Sequence, residues 1–210
     1  MPQMNKLLLS LVLLFSTSVY AKDNAFIVQE GLEHTSNSNY GDSWTYSARY
    51  EKRVWGNLWL GPEYTYHSPM LHHNGNDDTQ FDYGDLSGHS LLADLIWHSD
   101  IVLVGFSPYL IGGAGWSWWG FEESEKVETL GISVNMGDAF AYKVGTGATY
   151  PINNHWSFII EWSFFKSKIP YIATHLDGTP STILGNDDSS GEVKLGEEET
   201  RLVGGMRYKF

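Results

Sequence analysis

Alternation of apolar and polar residues with a period of two runs through most of this chain. Because successive side chains of a β-strand point to opposite faces, the alternation predicts strands that separate two different environments. In residues 155–166 the bulky apolar side chains of one face form an unbroken row, and in residues 201–210 an apolar face opposes a basic one. The same pattern occurs in residues 44–51, 58–67, 90–98 and 141–150.

Two further segments, residues 25–36 and 108–121, have strand composition, although glycines obscure the two faces of the second. The connections between these strands differ in length. The short ones span residues 52–57, 98–107 and 151–154, and the longer ones span residues 37–42, 68–87, 122–137 and 167–198. The pattern predicts an all-β fold, an eight-stranded antiparallel transmembrane β-barrel with short periplasmic turns and longer outer loops.

The faces opposite the apolar rows carry charges of both signs. In a soluble barrel of the lipocalin type these charges would meet water and the aromatic rows would pack inside. In a transmembrane barrel the aromatic rows meet lipid, and the charges fill a narrow interior where each needs a partner. The near balance of signs favours the second interpretation, and we expect Lys143 and Glu161 to join Arg201 or Arg207 in one network. The charged residues on these faces are Arg49, Glu51, Glu63, Asp94, Lys143, Glu161, Arg201, Arg207 and Lys209.

The first 21 residues have the pattern of a cleaved secretory signal. Lys6 provides a positive charge, residues 7–15 form a largely apolar run, and Ala21 is a small residue at the expected cleavage position. A run of this length covers about half of a bilayer core as a helix, which disfavours a membrane anchor. We therefore expect residues 1–21 to be removed and residues 22–210 to form one barrel domain.

The charge and the cysteine content limit the possible partners. The chain has 25 acidic and 13 basic residues, a formal net charge of -12, and no cysteine. This balance argues against nucleic acid as a partner, because phosphate binding requires a basic surface. Disulfides and thiolate metal sites are excluded, and no motif calls for a metal or another cofactor.

The final residues, GGMRYKF, resemble the C-terminal assembly signal of bacterial outer-membrane barrels, with Met206, Tyr208 and Phe210 on one face. With the segments FSPYLIGGAGW and AYKVGTGATYPINNHW, they make the chain similar to the small OmpA/OmpX/OmpW-type barrels. The resemblance implies a monomer in the Gram-negative outer membrane, inserted by the barrel assembly machinery and in contact with membrane lipid and lipopolysaccharide. It also implies a structural or surface-interaction role. A large pore is disfavoured, because eight strands leave an interior just wide enough for side chains.

One group of residues near the first outer loop has the chemistry of a hydrolase. His34 and Ser36 share a face of the first strand, and pairing with the second strand would place Asp42 near Ser36 and diagonal to His34. These are the residue types of a base, a nucleophile and an orienting carboxylate. The stretch HTSN resembles the His-x-Ser-Asn motif of outer-membrane phospholipase A and of PagL-type lipid A deacylases, which implies lipid acyl hydrolysis as an alternative function. The other interpretation is a polar rim in which Ser36 caps the hairpin turn.

Overall fold

The computed structural model describes residues 23–35, 42–74, 81–123, 129, 131–175, 190–194 and 199–210. The described residues are almost entirely extended, as the alternation predicts. The strands are β1 (Asn24–Thr35), β2 (Ser43–Trp55), β3 (Leu58–Asn74), β4 (Phe81–His98), β5 (Ser107–Glu123), β6 (Ile132–Met136), β7 (Asp138–Pro151), β8 (Trp156–His175), β9 (Ser190–Lys194) and β10 (Glu199–Lys209).

Eight of these strands close into an antiparallel barrel in the order β1-β2-β3-β4-β5-β7-β8-β10. Strand β10 completes the ring by pairing with β1, from Ala25 opposite Lys209 to Thr35 opposite Glu199. Each barrel strand therefore has a hydrogen-bonded neighbour on both sides, and the barrel has no open edge. The predicted eight-stranded β-barrel is confirmed.

No helix within the described part of the chain is long and apolar enough to cross a membrane.

The connections at residues 56–57, 99–106 and 152–155 are short and lie at one end, which we call the periplasmic end. At the other end, the outer end, the predicted loop boundaries are wrong. Strands β3, β4 and β8 continue into the segments 68–87 and 167–198, and β6 and β9 pair with the outer half of β8 on its two sides. The amphipathic alternation cannot mark these extensions, because strands beyond a bilayer have no lipid-facing side.

The outer surface of the barrel is apolar. On β8 the outward side chains of Trp156, Phe158 and Trp162 are each exposed by more than 40%, whereas Glu161 and Ser163 on the opposite face are buried. The aromatic rows therefore lie outside, which rules out the lipocalin-type arrangement.

Strand β5, whose faces could not be assigned from the sequence, follows the same rule. Its outward side chains include Trp116 and Trp118, and its inward side chains include Tyr109, Ile111 and Trp119. Aromatic pairs such as Trp116 with Phe140 and Trp156 with Tyr208 lie on the outer wall. These are the residues expected where a barrel meets the two lipid-water boundaries.

The interior is layered along the barrel axis. Near the periplasmic end an apolar cluster fills the barrel, and it consists of Ala25, Ile27, Trp59, Ile96, Tyr109, Ile111 and Ile159. Charged side chains occupy the middle. Closer to the outer end, the His67 ring lies between the rings of Trp119 and Phe165, with centroids 4.9 and 5.0 Å away.

Candidate functional site

Arg49 on β2 lies at the centre of the charged side chains that occupy the middle of the barrel, which we call the charged layer. Its Nη1 lies 2.8 Å from Oε2 of Glu161 and 3.0 Å from Oε2 of Glu63, and its Nε lies 3.1 Å from Oε1 of Glu51. Tyr109 donates a hydrogen bond of 2.9 Å to the same oxygen of Glu161. One guanidinium thus joins carboxylates from β2, β3 and β8, which is the fork geometry that suits arginine in a buried ion cluster.

Lys143 on β7 is the second cation of the layer. Its Nζ lies 2.7 Å from Glu63, 3.0 Å from Asp94 and 3.6 Å from Glu161. Strand β5 lies between β4, which carries Asp94, and β7, which carries Lys143. Its Gly113 is paired with both of these residues. A Cβ at Gly113 would stand 2.1 Å from Oδ1 of Asp94. The glycine therefore leaves the space in which this ion pair forms.

Two further arginines extend the network toward the ends of the barrel. Arg207 pairs with Glu51 at 3.0 Å and places its guanidinium 4.8 Å from the centre of the Trp59 ring. Arg201 lies 3.9 Å from Glu63 and donates a hydrogen bond of 3.2 Å to Thr45. Eight of the nine charged residues predicted on the inner faces, four cations and four carboxylates, are therefore linked by contacts of 4 Å or less. The ninth, Lys209, places its Nζ 5.9 Å from the centre of the Trp59 ring.

The burial of these groups limits what the interior can do. The side chains of Arg49, Asp94 and Lys143 have no accessible surface, and that of Glu63 has 1%. A water-filled path through this layer would leave such side chains accessible. The described side chains of this layer therefore pack against one another across the interior, and each buried ion lies against partners of opposite charge.

A second polar cluster lies nearer the outer end and was not predicted. Nδ1 of His67 lies 2.7 Å from Oε2 of Glu33, and its Nε2 lies 3.2 Å from Oγ of Ser90. Glu199 is buried in the same region, opposite Thr35 at the start of β10. Alternation along β1 places Glu33 inward, and alternation along β10 places Glu199 on the face of Arg201, so the sequence carried the signal for both residues.

The order serine, histidine and carboxylate is also that of a hydrolytic triad. However, Ser90, His67 and Glu33 are each 1% exposed or less, and aromatic rings cover the imidazole. A nucleophile needs access to its substrate. We conclude that this cluster pairs the buried imidazole of His67 with a carboxylate and a hydroxyl inside the barrel.

The outer rim contains the predicted histidine and carboxylate. Nδ1 of His34 lies 2.5 Å from Oδ1 of Asp42, and both side chains are largely exposed. The β1–β2 register runs to Glu33 opposite Ser43, so Asp42 lies directly across from His34. The sequence alone predicts a diagonal position for Asp42, and the register corrects this. Ser36 and the turn that follows it lie outside the described residues.

The residues of the predicted assembly signal lie on the outer wall at the periplasmic end. Met206 and Phe210 are exposed, and Tyr208 stacks on Phe210 and packs against Trp156. The backbone N–H of Phe210 donates a hydrogen bond of 3.0 Å to the carbonyl of Asn24. Their role in assembly remains a prediction.

Comparison with known proteins identifies the fold. No family model matches the chain, and no curated protein matches its sequence. Among solved structures, the outer membrane protein OprG from Pseudomonas aeruginosa matches with a TM-score of 0.63 at 11% identity, over 90% of this chain and 96% of OprG. Neisserial surface protein A matches with a TM-score of 0.57 at 13% identity, over 90% of this chain and 98% of that one. A major outer membrane protein from Thermus thermophilus matches with a TM-score of 0.55 at 14% identity, over 91% of this chain and all of that one.

These similarities support the fold alone and give no support to the hydrolase alternative. The apolar outer wall and the closed ring of strands account for a barrel that crosses a bilayer. The chain thus has the fold of the small, eight-stranded outer-membrane β-barrels.

Proposed function

We propose that this protein is a monomeric outer-membrane barrel that acts through its outer surface, with the barrel serving as a rigid, closed anchor. The observation that carries the proposal is the buried ion network, because a barrel filled by Arg49, Lys143 and their carboxylates has no room for a solute. The function then has to reside on the outer wall or beyond the membrane.

The outer end supports a surface role. Strands β3, β4 and β8 extend past the barrel, and β6 and β9 flank β8 there to form a small three-stranded sheet. Long, ordered strands hold a binding surface above the membrane more firmly than a free loop does. We infer that this sheet, defined by β6, β9 and the outer half of β8, presents the interaction surface.

In planar lipid bilayers we expect the purified protein to give no conductance steps of the size seen with large porins. The physical reason is the ion network, which blocks the interior at the level of Arg49 and Glu161. Single-channel recording over a range of applied voltages tests this expectation. Frequent, stable steps of porin size would contradict the closed-anchor proposal.

Removal of β9 and the outer half of β8, which dismantles the outer sheet around β6, should separate anchoring from surface binding. The β8–β10 register places Phe165 opposite Glu199, so a two-residue Asn-Gly turn in place of residues 168–196 continues that hairpin. We expect cells carrying this variant to insert the barrel but to adhere to immobilised polysaccharides and matrix proteins no better than cells without it. Cells carrying the intact protein should adhere. Adhesion that is unchanged by the trimming, or no adhesion by the intact protein, would contradict a surface role for this sheet.

A further inference from the structure

Glu30 places a carboxylate on the outer, otherwise apolar wall of the barrel. It points outward from β1 and is exposed, between the apolar outward positions of Val28 and Leu32. At about 3.4 Å per residue and a tilt of about 40°, it lies about 10 Å below His34 at the outer rim. A charge in the apolar band is costly and marks a functional position by default.

The side chain of Glu30 lines a recess of about 460 Å³ in the outer wall. The recess forms where small residues replace the bulky side chains found elsewhere on the wall. Its lining includes Glu30, Tyr46, Ala48, Tyr66, Gly204 and Met206. The described residues provide no hydrogen bond or ion pair to the carboxylate, so its charge is left for a ligand to neutralise.

Polar side chains lie beside Glu30 on the outer wall. Glu30 pairs with Tyr46, Tyr46 with Tyr66, and Tyr66 with His89, so the four residues form one row across β1 to β4. Nδ1 of His89 lies 2.7 Å from the hydroxyl of Tyr64, which adds a further polar group on the wall. A polar headgroup at Glu30 therefore has hydrogen-bonding groups on the neighbouring strands.

We propose that this recess binds a lipid whose headgroup carries a primary ammonium, with the ammonium on Glu30 and the acyl chains along the apolar wall. The negative charge of Glu30 selects a cation, and an ammonium also supplies N–H donors to a carboxylate. Tyr46 and Tyr66, which also line the recess, are aromatic residues of the kind that attract cations. The site is on the lipid-facing wall and is separate from the interior network.

The test uses the purified protein in vesicles of equal parts phosphatidylethanolamine and phosphatidylcholine, followed by native mass spectrometry of the lipids retained. The choline headgroup is also cationic but has no N–H, so it controls for charge alone. We expect about fivefold more phosphatidylethanolamine than phosphatidylcholine on the intact protein, and no preference on Glu30→Gln.

A second pair of variants tests the shape of the recess. Gly204→Leu fills it, and a Cβ at this glycine meets its nearest heavy atom at 3.8 Å, so the barrel can accept the change. Gly112→Leu adds the same side chain on the outer wall of β5, where the nearest atom is at 4.0 Å. Retained lipid should fall with Gly204→Leu and persist with Gly112→Leu, while heat-modifiable gel mobility shows that both variants are folded. Equal retention of the two lipids by the intact protein, or a lipid-free mass of two protomers that Gly204→Leu abolishes, would overturn the proposal, the latter in favour of a second copy.

Discussion

Replacement of Arg49 by methionine is expected to lower the free energy of unfolding by about 3 to 5 kcal/mol, because it leaves buried carboxylates without their shared cation. Glu51, Glu63 and Glu161 all contact this guanidinium within 3.1 Å. Lys143 is then the nearest cation to Glu63, Asp94 and Glu161, and Arg207 remains beside Glu51. Urea unfolding of the protein in lipid vesicles, followed by tryptophan fluorescence and gel mobility, measures the change.

Arg53→Met is the matched control on the same strand. Arg53 pairs with Asp23 at 3.3 Å near the periplasmic end, where both side chains are more than 40% exposed. An exposed pair of this kind contributes about 1 kcal/mol or less. Adding Glu161→Gln to Arg49→Met should restore part of the lost stability, since it removes one of the carboxylates left in excess over the remaining cations. Equal stability of Arg49→Met and Arg53→Met would mean that the network does not hold the barrel together.

The sequence was most informative where strands separate two environments. Lys143 is flanked by Tyr142 and Val144, and Glu161 is flanked by Ile160 and Trp162, so a local period of two already assigns each charge to the inner face. This property depends only on neighbouring residues. The choice of partner does not, because Arg49 meets Glu161 across 112 residues of sequence. That contact depends on the stagger of the closed barrel, which no local pattern encodes.

Other features were missed for identifiable reasons. Gly112, Gly113 and Gly115 remove the side chains that would have shown the two faces of β5, and with them the inward position of Tyr109. The outer parts of β3, β4 and β8 lost the alternation because they leave the bilayer. The outward carboxylate of Glu30 interrupts the apolar pattern of β1. An assignment based on the overall pattern passes over one such exception, although Glu30 lines the recess.

Gly205→Ala is expected to prevent most molecules from closing into a barrel. The seam between β10 and β1 is very close at this residue, and a Cβ there would stand 2.0 Å from the backbone carbonyl oxygen of Val28. A backbone atom cannot rotate aside as a side chain does, so the two strands would have to separate. Separation exposes unpaired N–H and C=O groups to lipid, which costs several kcal/mol per group.

Gly204→Ala provides the control one residue away on the same strand, because its Cβ would meet the nearest heavy atom at 3.8 Å. Refolding of both variants into lipid vesicles, followed by the fraction of heat-modifiable band on a gel, measures closure directly. We expect Gly204→Ala to match the unmodified chain and Gly205→Ala to fold at least about tenfold less, since overpacking by even about 1.4 kcal/mol produces that ratio. Equal folding of the two variants would show that the seam can widen without loss of pairing. The close approach of β10 to β1 would then play no part in closing the barrel.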